Sequence, residues 1–422
     1  MISHYWNFLR GIVFAFANIA AACITASALA EPAISDAHFD TLGMELSEPE
    51  KIAITHAMEY GRMISSYAKD QNGLPYRRDA HAKATGCVRA TFSINGNIPN
   101  HLQHGVFAFP SREYQAWIRF SNGDMLVQPD KTRDARGMAI KLINVDGEKI
   151  APELPGAATQ DFIMTNLPVF FNRNIFDYTD NMRFLAEQKR LAWFINLWPP
   201  RFHPKQLYIA AQTVSSRIPS PLQPQYYSML PYQLGTTTLK FSAKPCTKLK
   251  QDTHARNSDR DYLTEVMAEH LNTQAACFDF MLQEQRPGQN MPIDDATVEW
   301  SEKESPFVAV AKVHIPPQSF TSPEQQAFCE NLSMNPWHGT KGWLPLGSLS
   351  KARRLVYRAV SQFRHQQNNV IASEPTSWCL HNDETCNLAD IFHVLPPPRP
   401  PAVCFDSMYT PLDGSNSPRC EL

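Results

Sequence analysis

Hydrophobic spacing changes grain along the chain. Residues 48–67 carry apolar positions at helical intervals, which predicts a helix near the N-terminal side of the folded part. Farther on the period shortens. Residues 87–94, 113–121, 137–144 and 161–171 are short β-branched or aromatic runs bounded by Gly, Asn, Asp and Pro, the pattern of strands between turns. Residues 181–197 place Leu, Phe and Trp at helical offsets and stop at Pro199-Pro200, predicting a second helix. A second strand set covers 236–243, 276–285, 296–301 and 307–314, and a helix at 350–366 closes the main body. Eight strands in two groups of four, with a helical insertion between, predict an α+β fold: one antiparallel β-barrel or sandwich with flanking helices.

The ends of the chain read differently. Arg10, the apolar run 11–22 and Ala28-Leu29-Ala30 have the layout of an export signal at residues 1–30, cleaved after Ala30, which predicts a periplasmic or secreted protein. Past it no stretch approaches the roughly 20 apolar residues of a membrane span. Residues 31–370 form the expected folded domain and 371–422 a Cys- and Pro-containing extension, whose segment 395–402 favours an extended strap. Eight of nine cysteines lie beyond the signal. Local bridges are expected around Cys379 and Cys386 and around Cys404 and Cys420, while Cys87 and Cys277, in strand-like runs, are expected as small buried hydrophobes. A net charge of −2 and a pI near 6.7 leave no polyanion-binding stripe and exclude a nucleic-acid partner.

The chemistry gathers in two places. On the C-terminal helix, Arg353, Tyr357 and Arg364 fall within roughly 40° of one another at about 100° per residue, so a phenol stands among guanidiniums. Fixed positive charge can hold a tyrosine as phenolate, and a phenolate is an iron ligand. In the first strand set, Arg78 precedes the isolated His81, Arg119 precedes Ser121, and Arg133 and Arg136 follow. Guanidiniums at separate strand edges suit a ligand that carries carboxylates. Salt bridges to Asp79, Asp124 and Asp134 are the structural counter-reading.

Taken in order, Arg78 and His81, Arg119-Phe120-Ser121, the block from Arg133 to Lys141, the run from Gln160 to Phe171 and the Arg353, Tyr357, Arg364 helix resemble the core of the catalase family over about residues 70–370. The resemblance implies an eight-stranded antiparallel β-barrel holding heme b, with Tyr357 as the iron ligand and Arg353 stabilising its phenolate. It implies His81 as distal general base and then acid, oriented by Ser121. Arg78, Arg119 and Arg364 match the positions that hold haem propionates, and Phe170 matches the aromatic wall over the haem. Asn166 is the candidate distal hydrogen-bond donor, although Thr165 occupies the family's usual offset from Pro168 and strand alternation would turn Asn166 away. Tyr178 or Phe176 is a candidate second aromatic.

The implied reaction is peroxidase or catalase chemistry on hydrogen peroxide or an organic hydroperoxide, with a small organic reductant as co-substrate in the peroxidase case. Residues 331–347 resemble the compact, catalase-related haem peroxidases, whose shorter scaffold implies a more open channel. Alternatives are rearrangement of fatty-acid hydroperoxides, as in the allene-oxide-forming relatives, and haem binding without turnover; Ala80, before His81, matches neither the catalases nor the allene-oxide group. Assembly into a homo-oligomer stays open.

Overall fold

The computed structural model describes residues 45–150, 157–215, 217–246 and 260–380. The export signal, the Pro-rich strap and Cys386, Cys404 and Cys420 lie outside the described residues.

Helix α1 spans Glu48–Asn72, begins where Glu50 reaches back to the Ser47 N–H at 2.9 Å, and ends at Gly73, whose φ of +78° suits only glycine. Its buried face, with Ile54, Ala57, Met58 and Ile64, packs on helix α2 (Ile175–Ala186) and on the long C-terminal helix α6 (Ser348–Gln367). Three shorter helices follow α2 and precede α6: α3 (Pro204–Thr213), α4 (Tyr262–Leu271) and α5 (Pro323–Asn331).

The barrel is closed by eight antiparallel strands. In order around the circuit they are β1 (Ala84–Ile94), β2 (Glu113–Asn122), β3 (Arg136–Leu142), β4 (Gln160–Thr165), β7 (Tyr226–Tyr227), β9 (Thr237–Pro245), β10 (Ala276–Glu284) and β11 (Val308–Ile315), which pairs back onto β1. Two further short strands, β8 (Tyr232–Leu234) and β12 (Trp343–Pro345), extend the sheet alongside β9. A separate hairpin, β5 (Ile195–Leu197) with β6 (Pro200–Phe202), stands outside it. Inside the barrel Phe92, Phe107, Phe162, Phe241, Phe280 and Trp343 interlock with ring centroids 4.8–6.4 Å apart. Each such ring contributes about 1.5–3 kcal/mol by leaving water, so closure rests on the aromatic interior.

The eight-stranded count agrees with expectation, but its membership differs. Residues 296–301 form a loop rather than a strand: Phe170 N–H donates to the Ala296 carbonyl and Ala296 N–H to the Arg173 carbonyl, and Trp300 is buried as a loop anchor. The place in the circuit belongs to Tyr226 and Tyr227, two residues long, too short for any periodicity to register. The predicted strand 161–171 ends at Thr165, before Pro168. The predicted helix 181–197 is really α2, started by the Asn174 side chain accepting from the Phe176 and Asp177 N–H groups. It is followed by a turn whose Trp193 and Phe194 pack on Phe171, so the helical spacing of aromatics reflects a cluster, not a helix.

Cys277 is not a free thiol. Antiparallel pairing of β9 with β10 brings it opposite Cys246 at a Cα separation of 5.6 Å, and the two form a disulfide. Cys379 is also disulfide-bonded, whereas Cys87 is free and buried as expected, hydrogen-bonded to the free, buried Cys329. The first residues of the C-terminal extension belong to the folded body: Glu374 pairs with the fully buried Lys141 at 2.6 Å, and Trp117 Nε1 donates to the Ser377 carbonyl.

Candidate active site

Ser121 on β2, Gly137 on β3 and Thr165 on β4 lie in one cross-strand row. Side chains of residues opposite each other share a face, so glycine in the middle leaves a notch between a hydroxyl on either side. His81 fills it. A Cβ built on Gly137 would come within 2.6 Å of His81 Nδ1 and 2.8 Å of Ser121 Oγ. The notch exists because residue 137 has no side chain, and nothing local in the block from Arg133 to Lys141 singles Gly137 out.

His81 is held from three directions. Its Nδ1 lies 3.0 Å from Ser121 Oγ, its N–H donates to the Gly123 carbonyl at 3.0 Å, and its own carbonyl accepts from Arg119 Nη2 at 2.9 Å. The residue sits at a φ of +56°, a left-handed conformation that costs a non-glycine residue about 1–3 kcal/mol and persists only where the surroundings enforce it. Burial, reinforced by the charges of Arg119, Arg78 and Arg353, pushes its pKa down to about 4. The imidazole is therefore neutral at pH 7 and able to take a proton. With Nδ1–H donated to Ser121, Nε2 keeps its lone pair.

On α6, Arg353 Nη2 donates to the Tyr357 hydroxyl at 3.1 Å, and the guanidinium lies 5.1 Å from the Tyr357 ring centroid. The helix is started by Asp294, whose carboxylate accepts from both the Ser348 N–H (2.9 Å) and Ser348 Oγ (2.7 Å), fixing the phase of the stripe that carries Arg353 and Tyr357. Arg353 charge reaches both His81 and Tyr178, so the α6 stripe and the β2/β3 notch face common ground.

A third group is made of arginines. Arg78 donates to Glu330 Oε1 at 3.2 Å and to the Leu332 carbonyl at 2.6 Å; Arg364 donates to the carbonyls of Glu330 at 2.5 Å and Leu332 at 3.1 Å. Both thus close on the C-terminal end of α5. Burial and then the Arg119 charge lower Arg78 to about 10, and burial and then Arg78 lower Arg364. The Glu330 carboxylate is shared by Arg78 and Arg77, the latter at 3.0 Å, while Arg364 reaches main-chain carbonyls there and Arg119 those of His81 and Ala82. Arg119 Nε is buried with no hydrogen-bond partner, and Arg353 is hydrogen-bonded to the buried Tyr232 as well as to Tyr357. Surplus cationic charge, the orphaned Arg119 Nε and an arginine-paired phenol are the donor set that a haem with two propionates and a tyrosine ligand would satisfy, so the residues present fit that group.

Phe170 packs against Leu230, Ala296 and Leu349, 6.4 Å from Tyr178. Tyr178 faces inward, raised well above its ordinary pKa by burial and then by Asp79, whereas Phe176 is 48% exposed and takes no part. Asn166 does not join His81. Its side-chain oxygen accepts the Arg136 N–H at 2.8 Å and its own N–H donates to the Arg136 carbonyl, while Thr165 holds the row with Gly137 and Ser121. The one-residue offset from Pro168 thus has the consequence that alternation dictates. Arg136 serves the fold: it bonds Asn122 and the carbonyls of Asp130 and Thr132. His338 belongs to a buried charge group, 2.9 Å from Asp161, which also pairs with Lys141.

A family model described as Catalase matches residues 63–192. A curated catalase from the Onchocerca volvulus endobacterium is 25% identical over 287 residues, covering 61% of this chain; the chain spans 56% of that relative's length. Among solved structures, catalase A from Saccharomyces cerevisiae superposes with a TM-score of 0.56 at 16% identity, covering 85% of this chain and 80% of the yeast chain. A fungal catalase gives 0.52 at 17% identity over 71% of this chain and 61% of its own length. The barrel circuit and its flanking helices are the catalase fold, and the stretch 63–192, which carries His81, Arg119, Ser121 and Gly137, is similar in sequence to the catalase family.

Proposed function

We propose that this protein is a haem-dependent, peroxide-processing oxidoreductase, with heme b held between His81 and Tyr357. The observation that carries the reading is His81 itself: a neutral imidazole in a strained left-handed conformation, seated in a notch that only Gly137 permits and tethered to Ser121. Such strain and enclosure are what a positioned acid–base group needs.

Tyr357 would ligate the iron, with Arg353 keeping its oxygen electron-rich, and Arg78, Arg119 and Arg364 would hold the propionates, displacing part of the Glu330 and carbonyl contacts. Bound there, the haem supplies the two-electron chemistry that breaks a peroxide O–O bond. His81 accepts the proton from the peroxide at Nε2 and returns it to the departing oxygen, which leaves as water or an alcohol. Ser121 keeps the ring from rotating during the exchange. Phe170 and Tyr178 keep the chamber apolar. Asn166, engaged with the β3 backbone, has no part in this scheme.

The test is addition of hydrogen peroxide, and separately of an organic hydroperoxide, to the purified haem-loaded protein, with oxygen release and reductant consumption followed together. Oxygen release is the catalase result, and reductant consumption without oxygen is the peroxidase result. Tyr357→Phe is expected to lose haem on gel filtration, and His81→Ala to retain haem but not peroxide consumption. Normal turnover by His81→Ala, or no peroxide consumption by the wild type, overturns the reading.

A further inference from the structure

The β5–β6 hairpin has its polarity reversed. Ile195 lies opposite Phe202 and Leu197 opposite Pro200, and these four share one face; Ile195 is 51%, Leu197 92% and Phe202 73% exposed. Of the polar pair between them, Asn196 donates to the Trp198 carbonyl at the turn, while Arg201 turns inward, forming an ion pair with Asp180 and lying over the Phe184 ring at 4.8 Å. Ordinary half-buried hairpins put the apolar face in and the polar face out. At the turn Trp198 is 87% exposed.

Exposure here is built rather than frayed, because the root is anchored. Trp193 Nε1 donates to Asp180 at 3.1 Å, His203 stacks on Trp193 at 4.8 Å, and Trp193 and Phe194 pack on Phe171. Charge in the surrounding sequence has one sign: no Asp or Glu occurs between Glu187 and Asp252. Of the basic residues in that run, Lys189, Arg190 and Arg201 are balanced by Glu187, Asp124 and Asp180, while Lys205 stands exposed on the first turn of α3, one turn before the 63%-exposed Tyr208.

We propose that this hairpin and the first turns of α3 dock on an anionic lipid bilayer, with Leu197 and Trp198 entering the boundary between headgroups and acyl chains. A three-residue strand reaches about 10 Å, which is the depth that interfacial segments occupy. Trp198 at the tip and Tyr208 on α3 are residue types that partition there, and Lys205 beside them favours an anionic surface. A second copy of the chain is the competing occupant. A stable dimer buries about 800 Å² per partner on a matched surface; here the most exposed apolar groups are the last residue of β5 and the first of the turn, a narrow tip suited to penetration. Among the described residues no helix is long and apolar enough to cross a membrane.

The full chain is sedimented with vesicles of phosphatidylcholine alone or with phosphatidylglycerol, and its mass in solution is measured by light scattering. Wild type is expected to pellet with the anionic vesicles and to be released by salt. The doubly substituted Leu197→Ser, Trp198→Ser protein should bind about tenfold less tightly or worse, Lys205→Glu should bind less, and Ile371→Ser, which removes another fully exposed apolar side chain, should bind as wild type. Failure of the wild type to pellet, equal pelleting by the double variant, or a dimer that the double variant dissociates would each overturn the proposal.

Discussion

Substituting Gly137 by alanine tests the site with one methyl group. The new Cβ would stand 2.6 Å from His81 Nδ1, 2.8 Å from Cε1 and 2.8 Å from Ser121 Oγ, where ordinary contacts are 3.4–4 Å. Relieving the closest contact requires the ring to retreat by about 1 Å, because β3 is held on both sides by β2 and β4 and His81 is pinned at its own N–H and carbonyl. Two effects follow and differ in size. Overpacking costs about 1–3 kcal/mol of stability. Displacing a positioned catalytic group by 1 Å costs about 10²-fold in rate, and loss of the Ser121 hydrogen bond adds to it. The α6 side is untouched, so haem content should match wild type. The assay is peroxide turnover per bound haem, with urea unfolding as the control for folding. Wild-type turnover per haem in Gly137→Ala would refute the notch as the seat of the catalytic base, whatever its stability.

Burial holds the His81 pKa at about 4, below the 6.5 of an exposed histidine, so between these values the unfolded chain binds a proton that the folded chain does not. Stability from this group is therefore complete above pH 6.5 and is lost as pH falls toward 4, by at most about 3 kcal/mol. The difference in unfolding free energy between wild type and His81→Gln should shift across that window and be flat above it; a difference independent of pH contradicts the assignment. Asp161→Asn removes one of the two carboxylates that balance Lys141, both Asp161 and Lys141 being inaccessible, and should destabilise by about 3–5 kcal/mol in chemical denaturation; a loss under 1 kcal/mol would show that Glu374 and His338 suffice. Metal-free protoporphyrin should raise the melting temperature of haem-free protein, whereas its dimethyl ester should not, since only the carboxylates pair with Arg78, Arg119 and Arg364; equal shifts would remove those arginines from the site.

What sequence could reveal followed from range. Strands and helices long enough to show a period, such as β1, β2, β3, α1 and α6, lie close to their predicted bounds. Tyr226 and Tyr227 could not be found that way, because two residues have no period and their place is set by partners on β4 and β9. The stripe of Arg353 and Tyr357 was legible from helical geometry, since both partners lie on one element. The notch was not: Gly137 matters only through β2, β4 and a histidine 56 positions away, contacts that no local pattern encodes. For Asn166 and Thr165 the alternation rule, applied to a one-residue offset, anticipated the geometry that the hydrogen bond to Arg136 displays.

The arginines join the two halves of the site in a single electrostatic problem. After burial, the Arg119 charge lowers Arg78 and the Arg78 and Arg119 charges lower Arg364, and the compensation around them is the Glu330 carboxylate, the carbonyls at the end of α5 and, for Arg119, the carbonyls of His81 and Ala82. A nine-residue helix presents a partial negative charge at that end, worth about half an elementary charge. That is insufficient for three buried cations, each of which loses several kcal/mol of hydration. A bound dianion would supply the missing charge at the place where Arg119 Nε lacks a partner. Burial first, and then Arg119 and Arg78, hold His81 neutral, so two of the charges that would retain a haem also bear on the protonation state of the neighbouring imidazole. Propionate binding and acid–base readiness are then not separate endowments of the fold, and changing Arg78 or Arg119 should move both.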